Sequence, residues 1–239
     1  MNLQGPNPEE IKSLFNSVAH GYDKANDAMT FGLARVWRNR LVRWSDARHG
    51  QRVLDCATGT GDLAIAFKRA VGPSGEVVAT DFCAGMLEHG PGKAERLGFK
   101  IRFELADAMN LPFADHSFDV ASIAYGIRNV SDPAKALSEM ARVVRPGGCV
   151  LILETGDTRP SLTKQMFDLY FQKVVPRIGG WITGQRGAYE YLNRSSRGFP
   201  SRERFIELMA STQAFDTCEY KVLMAGASYM YKGLKAQNP

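Results

Sequence analysis

The stretch VLDCATGTGDLAIAF, Val53 to Phe67, constrains this chain more than any other. It begins as a short apolar strand, places an acid at the strand's end (Asp55), turns on Gly59-Thr60-Gly61 and continues into a helix whose apolar surface comes from Leu63, Ile65, Ala66 and Phe67. Only glycine lets a backbone turn this sharply and lets a ligand approach it closely. The helix start beyond the turn presents free N–H groups and a partial positive charge. The pattern implies an α/β fold whose turn holds a nucleotide or nucleoside, with a merely structural turn as the alternative.

Gly59 to Ala64 satisfies G-x-G-x-x-G/A, so a dinucleotide fold is a competitor. Two acids pull the reading elsewhere. Asp55 lies four residues before Gly59, where a carboxylate can receive an ammonium group. Asp62 opens the helix, where it would repel a pyrophosphate. A ligand with an ammonium and a sulfonium, and no phosphate, suits the loop better. D-x-x-x-G-x-G looks like motif I of the class I methyltransferases that use S-adenosylmethionine (SAM).

From Gln51 to Glu154 strands and helices alternate, which predicts a parallel, doubly wound sheet. Its strands are read at Arg52–Cys56, Glu76–Asp81, Ile101–Leu105, Val120–Ala124 and Cys149–Glu154. Two alternating strands near Thr217–Leu223 and Ala227–Lys232 close a mostly parallel sheet of seven. Asp81 lies 20 residues past Gly61, where a ribose-binding carboxylate belongs, although an acid there also suits a helix cap at Phe82–Leu87. Asp107, just past the third strand, can accept from an adenine amino group, and Ala108 leaves the ring room. Tyr125 to Asn129 follows the fourth strand, at the rim where ligands bind in open sheets. Arg145-Pro146-Gly147-Gly148 reads as the stop after a helix over Ala134–Val144.

Before the sheet, Ile11, Leu14, Phe15 and Val18 share a helical face. The segment that follows, to Trp44, reads either as an amphipathic extension or as a lid over the cofactor, with a mobile loop near Met29 and Phe31 where Asn and Asp cluster. Met166, Phe167, Tyr170, Phe171, Val174, Val175 and Ile178, with Trp181 beyond, form an aromatic stripe suited to the core or to the rim of an apolar substrate site. One domain is expected over 1–239: a helical lid to 49, a cofactor core over 50–155, and a substrate side with a helical insertion over 156–239.

Hydrophobic residues at 44% and charged residues at 23% suit an ordinary globular protein. The N-terminus lacks the basic and apolar regions of a signal peptide, and the four cysteines show no C-x-x-C spacing, so a cytoplasmic protein without a metal is expected. A net charge of +5 permits contact with anionic lipid. No basic run interleaved with aromatics suggests nucleic acid.

With these segments in view, the chain resembles the UbiE/MenG family of quinone-biosynthesis C-methyltransferases. The resemblance rests on FNSVAHGYDKANDAMTFGLARVWR, VLDCATGTGDLA, TDFCAGML, ADAMNLPFADHSFD, YGIRNVSDPAKALSEMARVVRPGG and YEYLNRSSRGFP, in that order along nearly the whole chain. It implies a Rossmann-like class I methyltransferase that methylates a ring carbon of a prenylated quinol, either demethylmenaquinol or its ubiquinone-pathway counterpart. It places Thr60, Asp81, Asp107 and Ala108 on SAM, alongside Asp55, Gly59, Gly61 and Phe82 of the same motifs. Two positions depart from the family pattern. Ala124 stands where the family has a serine contact, and Glu154 is followed by Thr155-Gly156-Asp157-Thr158-Arg159 where the family reads E-F-S-x-P.

An aromatic carbon becomes nucleophilic when the hydroxyl beside it loses its proton. Arg128 is the candidate to hold the resulting phenolate, because a guanidinium stays protonated and is no base. Arg128 and Asn129 would orient the oxygen, and water bound by them would take the proton. His20 and Tyr22 are further acid–base candidates. The prenyl tail implies a peripheral encounter with the inner face of the membrane, and a homodimer is compatible with the sequence. A methyltransferase of another small aromatic, and a SAM-binding scaffold without turnover, remain alternatives.

Overall fold

The computed structural model describes residues 5–156, 177 and 184–237. The aromatic stripe from Met166 to Trp181 and the departure over Asp157–Arg159 lie outside the described residues.

Local signals at the helix starts act as their chemistry requires. Helix α1 (Pro8–Val18) is capped by Asn7, whose side chain accepts from the Glu9 N–H at 2.9 Å, with Pro8 in the first turn. Helix α2 (Tyr22–Thr30) ends on two left-handed residues, Phe31 and Gly32, and α3 (Leu33–Trp44) starts at once. The loop expected near Met29 and Phe31 is therefore only a two-residue turn. Asn26 and Asp27 lie inside α2, because Ala25 and Met29, four apart on one face, are buried and hold the helix down.

The sheet follows: β1 (Arg52–Cys56), α4 (Asp62–Val71), β2 (Glu76–Asp81), α5 (Ala84–Leu87), α6 (His89–Arg96), β3 (Arg102–Leu105), β4 (Phe118–Ala124), α7 (Pro133–Val143) and β5 (Val144–Thr155). Beyond the undescribed segment come α8 (Arg186–Gly198), α9 (Glu203–Ser211), β6 (Thr217–Leu223) and β7 (Ser228–Leu234). The strand order is β3-β2-β1-β4-β5-β7-β6. Pairs from β3 to β5 are parallel, and β7 runs antiparallel between β5 and β6. β5 begins earlier than the sequence suggests. Its pairing with β4 jumps from Phe118↔Val144 to Val120↔Cys149, so Arg145–Gly148 bulge out of the ladder where the Pro-Gly-Gly turn was expected.

Strand alternation divides the core. Val53, Val77, Leu151 and Leu153 pack with Trp37 and Leu41 of α3 and Phe67 of α4 on one face. Leu54, Val78, Ile123 and Ile152 pack with Leu137 and Met140 of α7 and Phe205 of α9 on the other. The chain winds outward from β1 to β3, then returns to place β4 on the other side of β1. That reversal leaves a crevice beyond the carboxyl ends of β1 and β4.

Candidate active site

A cavity occupies this crevice, floored by Gly59, Asp81, Asp107, Ala108 and Ala124 and roofed by Pro8, Ile11, Phe15 and Tyr22 from α1 and α2. Two non-glycine residues at the strand tips, Ala57 (φ 47°) and Tyr125 (φ 59°), hold left-handed backbone that costs free energy and re-aims the chain around the cavity. Gly61 has φ 86°, and a Cβ there would meet the Phe103 ring at 3.0 Å, so the turn closes against β3 only with glycine.

Asp81 is the central acceptor. Its Oδ2 takes the Gly59 N–H at 2.7 Å and its Oδ1 the Cys83 N–H at 2.8 Å. Burial pushes its pKa above the usual carboxylate range, and these backbone donors pull against the rise. The Phe82 N–H acts on the same carboxylate, which still keeps acceptor capacity for a ligand. It does not cap a helix: α5 starts at Ala84, beyond the Cys83 contact. Asp107 spends Oδ1 on the Met109 N–H at 2.8 Å. Its Oδ2 is free among the described residues, and Ala108 and Met109 line the cavity beside it. Phe82 forms another wall, its ring 5.4 Å from the Lys12 ammonium.

Other sequence-predicted residues sit elsewhere. Asp55 is buried beneath the turn, where its oxygens accept from the Thr58 hydroxyl at 2.6 Å and the Ser122 hydroxyl at 2.7 Å. Burial raises its pKa to about 6, against the pull of those hydroxyls. It braces the glycine turn and does not line the cavity. Thr60 also faces away and donates to Asp23 of α2 at 2.5 Å. Asp62 meets Arg38 of α3 at 2.9 Å and, more closely, Lys93 of α6. Burial would raise the Asp62 carboxyl, but these two cations outweigh it and hold its pKa low. Lys93 also binds Asp23 at 2.6 Å, so one charged chain ties α2, α3 and α6 to the glycine turn. Neither composition nor spacing marks Lys93 or Arg38; only the folded contacts do.

The acid–base candidates separate. His20 is exposed on the turn Ala19–Gly21, its ring 6.3 Å from that of His89, and does not line the cavity. Tyr22 does line it, but burial pushes its pKa up, so at neutral pH it is a hydrogen-bond donor and no base. Arg128 is buried. Its Nη1 donates to Glu154 Oε1 and to the Tyr125 carbonyl at 2.9 Å, and its backbone N–H reaches Glu154 Oε2 at 3.4 Å. Side-chain exposures of 3% and 1% for Arg128 and Glu154 make this an interior ion pair, unlike the surface salt bridge a lone arginine suggests. Among the described residues, the buried Arg128 Nε has no hydrogen-bond partner. Asn129 lines the first cavity, its Nδ2 donating to the Tyr125 carbonyl at 3.4 Å and its Oδ1 accepting from the Tyr191 hydroxyl at 3.1 Å. Arg128 lines a second cavity with Tyr191, Arg194 and Ser195 of α8 and Phe199. Adjacent residues thus face two neighbouring cavities.

Comparison with known proteins places this geometry. A SAM-dependent methyltransferase from Thermotoga maritima is 19% identical, with a TM-score of 0.66 over 94% of this chain and 99% of that one. Phosphoethanolamine N-methyltransferase 2 of Haemonchus contortus, solved in complex with S-adenosyl-L-methionine, is 18% identical with a TM-score of 0.57, over 82% of this chain and 51% of that one. These likenesses show the class I methyltransferase fold. In sequence, the chain is 52% identical over 233 residues to the ubiquinone/menaquinone biosynthesis C-methyltransferase UbiE of Bdellovibrio bacteriovorus, covering 98% of this chain and 99% of that protein. The family model for ubiE/COQ5 methyltransferases matches residues 3–235, and the chain belongs to that family.

Proposed function

We propose that this C-methyltransferase of quinone biosynthesis acts on a ring carbon of a prenylated quinol, with Arg128 and Asn129 receiving the acceptor's ring oxygen. SAM, when bound, supplies a methyl group made electrophilic by its sulfonium. The cavity residues suit it: Asp81 retains acceptor capacity for a ribose hydroxyl, Asp107 Oδ2 is free among the described residues for an exocyclic amine, and Ala108, Met109 and Phe82 offer walls for a purine. Ala124 can supply no hydroxyl there, and Ser131 is a lining residue able to do so.

The observation that carries the acceptor assignment is the buried Arg128 guanidinium lining the second cavity, its Nε without a partner among the described residues. A buried donor without an acceptor costs about 1–3 kcal/mol, a cost that an oxygen anion at that edge would remove. Water held by Arg128 and Asn129 takes the phenolic proton, since no described side chain at this wall is a competent base. The chain acts as one domain in which α1 and α2 form a lid over the cofactor.

Arg128→Lys and Arg128→Gln, assayed with labelled SAM and a reduced short-tailed demethylmenaquinol, test the assignment. Both variants should bind SAM normally by calorimetry and lose methyl transfer at least a hundredfold. Unchanged turnover would refute the role. No helix among the described residues is long and apolar enough to cross a membrane. A prenyl tail nevertheless resides in a bilayer, and the net charge of +5 favours an anionic surface. Peripheral binding follows, and absence of co-flotation with anionic vesicles, with and without quinol, would count against it.

A further inference from the structure

Arg128 divides its donors unevenly. Both interactions of its tip go through Nη1, to Glu154 and to the Tyr125 carbonyl. Nε is buried without a partner among the described residues, and Nη2 makes no hydrogen bond to them; the side chain is 3% exposed. Those two atoms form one edge of the planar fork, where two parallel N–H bonds can converge on oxygen. Glu154 has no comparable freedom. Its Oε1 receives Arg128 Nη1, the Thr155 N–H at 2.7 Å and the Thr155 hydroxyl at 3.1 Å, and its Oε2 receives the Arg128 N–H. It lies within β5, paired with Tyr229 of β7, so its backbone is held by that ladder. The carboxylate is a rigid peg, and the guanidinium is turned about it.

We propose that Glu154 is a positioning residue for Arg128: by taking up Nη1 it holds the Nε–Nη2 edge out toward the second cavity, where the edge receives an anionic oxygen of the acceptor ring. This rests on the reading of Arg128 given above and adds a residue that need not touch the acceptor. Thr155 is a part of the same brace, since its hydroxyl reaches both Glu154 Oε1 and the Ser196 hydroxyl of α8 at 3.1 Å. The end of β5 is thereby linked to the helix that supplies Tyr191 and Arg194 to the cavity.

Two variants of the full chain separate position from charge. Glu154→Asp keeps the ion pair but retracts the carboxylate by about 1.5 Å, one carbon–carbon bond, and swings the fork with it. Glu154→Gln keeps an oxygen at the original reach and removes the charge. With short-tailed demethylmenaquinol as acceptor, kcat of Glu154→Asp should fall about tenfold to a hundredfold, the scale of a misplacement near 1 Å. Its SAM dissociation constant should stay within about twofold, because Glu154 does not line the cofactor cavity. Glu154→Gln should retain more activity than Glu154→Asp, and if it fails to fold, the Glu154→Asp result decides alone.

Wild-type kcat in Glu154→Asp overturns the proposal. So does a loss of SAM affinity and melting temperature in step with kcat, which marks a merely structural acid. An active Glu154→Asp with an inactive, folded Glu154→Gln would assign charge balance and refute positioning. Failure of the Arg128 reading looks different: Arg128→Lys and Arg128→Gln would then turn over normally, whatever the Glu154 variants do.

Discussion

Replacing Asp81 by asparagine removes one of two oxygens that each hold a backbone N–H, Gly59 at 2.7 Å and Cys83 at 2.8 Å. The amide NH2 then faces a donor. One buried N–H loses its acceptor at a cost of about 1–3 kcal/mol, which in a chain of this size lowers the melting temperature by roughly 4–8 °C for a 2 kcal/mol loss. The cofactor loses more selectively. Hydrogen bonds to a charged acceptor contribute about 1.5–3 kcal/mol, so the dissociation constant for SAM should rise by about 10- to 150-fold. Calorimetry with SAM and with 5′-methylthioadenosine separates the causes. The second ligand keeps the ribose and the purine but lacks the amino-acid arm, so it should weaken by the same factor. If Asp81→Asn lowers the melting temperature yet binds both ligands as tightly as the wild type, Asp81 only braces the turn and the ribose assignment is wrong.

Asp55 should make the stability depend on pH in an unusual direction. Its folded pKa of about 6 lies above the ordinary 3.8, so its contribution is fully present below about pH 4 and is lost as pH rises through 6. Carrying the buried charge costs about 3 kcal/mol at neutral pH. Asp55→Asn should remove that slope, seen as a wild-type-minus-variant difference in denaturation free energy between pH 4.5 and 7.5; a constant difference would refute it. Asp23 links α2 to Thr60 and Lys93 through a carboxylate whose side chain is 37% exposed, so the two contacts together amount to only about 1 kcal/mol. Asp23→Asn should therefore speed SAM release about fivefold in stopped flow, and high salt should speed release from the wild type but not from the variant. Equal release rates at all salt concentrations would mean that α2 does not gate the cavity.

The sequence read strands better than contacts. β1, β2 and β6 have the bounds read from alternation and punctuation, because a run such as Val53-Leu54 can be buried on both faces only within a sheet. Asp81, Asp107 and Ala108 reach the cavity because strand-end position alone puts them there. Asp55 has the same kind of position and does not. Its fate depends on the register Asp55↔Ser122, which brings a hydroxyl from β4 alongside and turns the acid inward. Pairing partners 67 residues apart leave no local trace. Arg128 and Glu154 are 26 residues apart, and their depth is set by β5 lying against β4. The Asn- and Asp-rich segment near Met29 misleads for a related reason. Turn chemistry is a weak preference, and burial of one helical face overrides it.

The two cavities differ in how their charges are settled, and the difference bears on what each can hold. Asp81 and Asp107 face the first without an ion-pair partner among the described residues, so the floor of that cavity is negative and favours a cationic ligand that carries hydroxyls and an amine. At the wall of the second, the charge of Arg128 is already offset by Glu154. An anion arriving there meets the unused donors of Arg128 and a further cation, Arg194 of α8. A ring oxygen on a rigid aromatic frame can meet both Arg128 donors at once. Under the proposed assignment Arg128 contributes directed donors to that oxygen, and Glu154, which takes up its Nη1, is the group that would fix their direction.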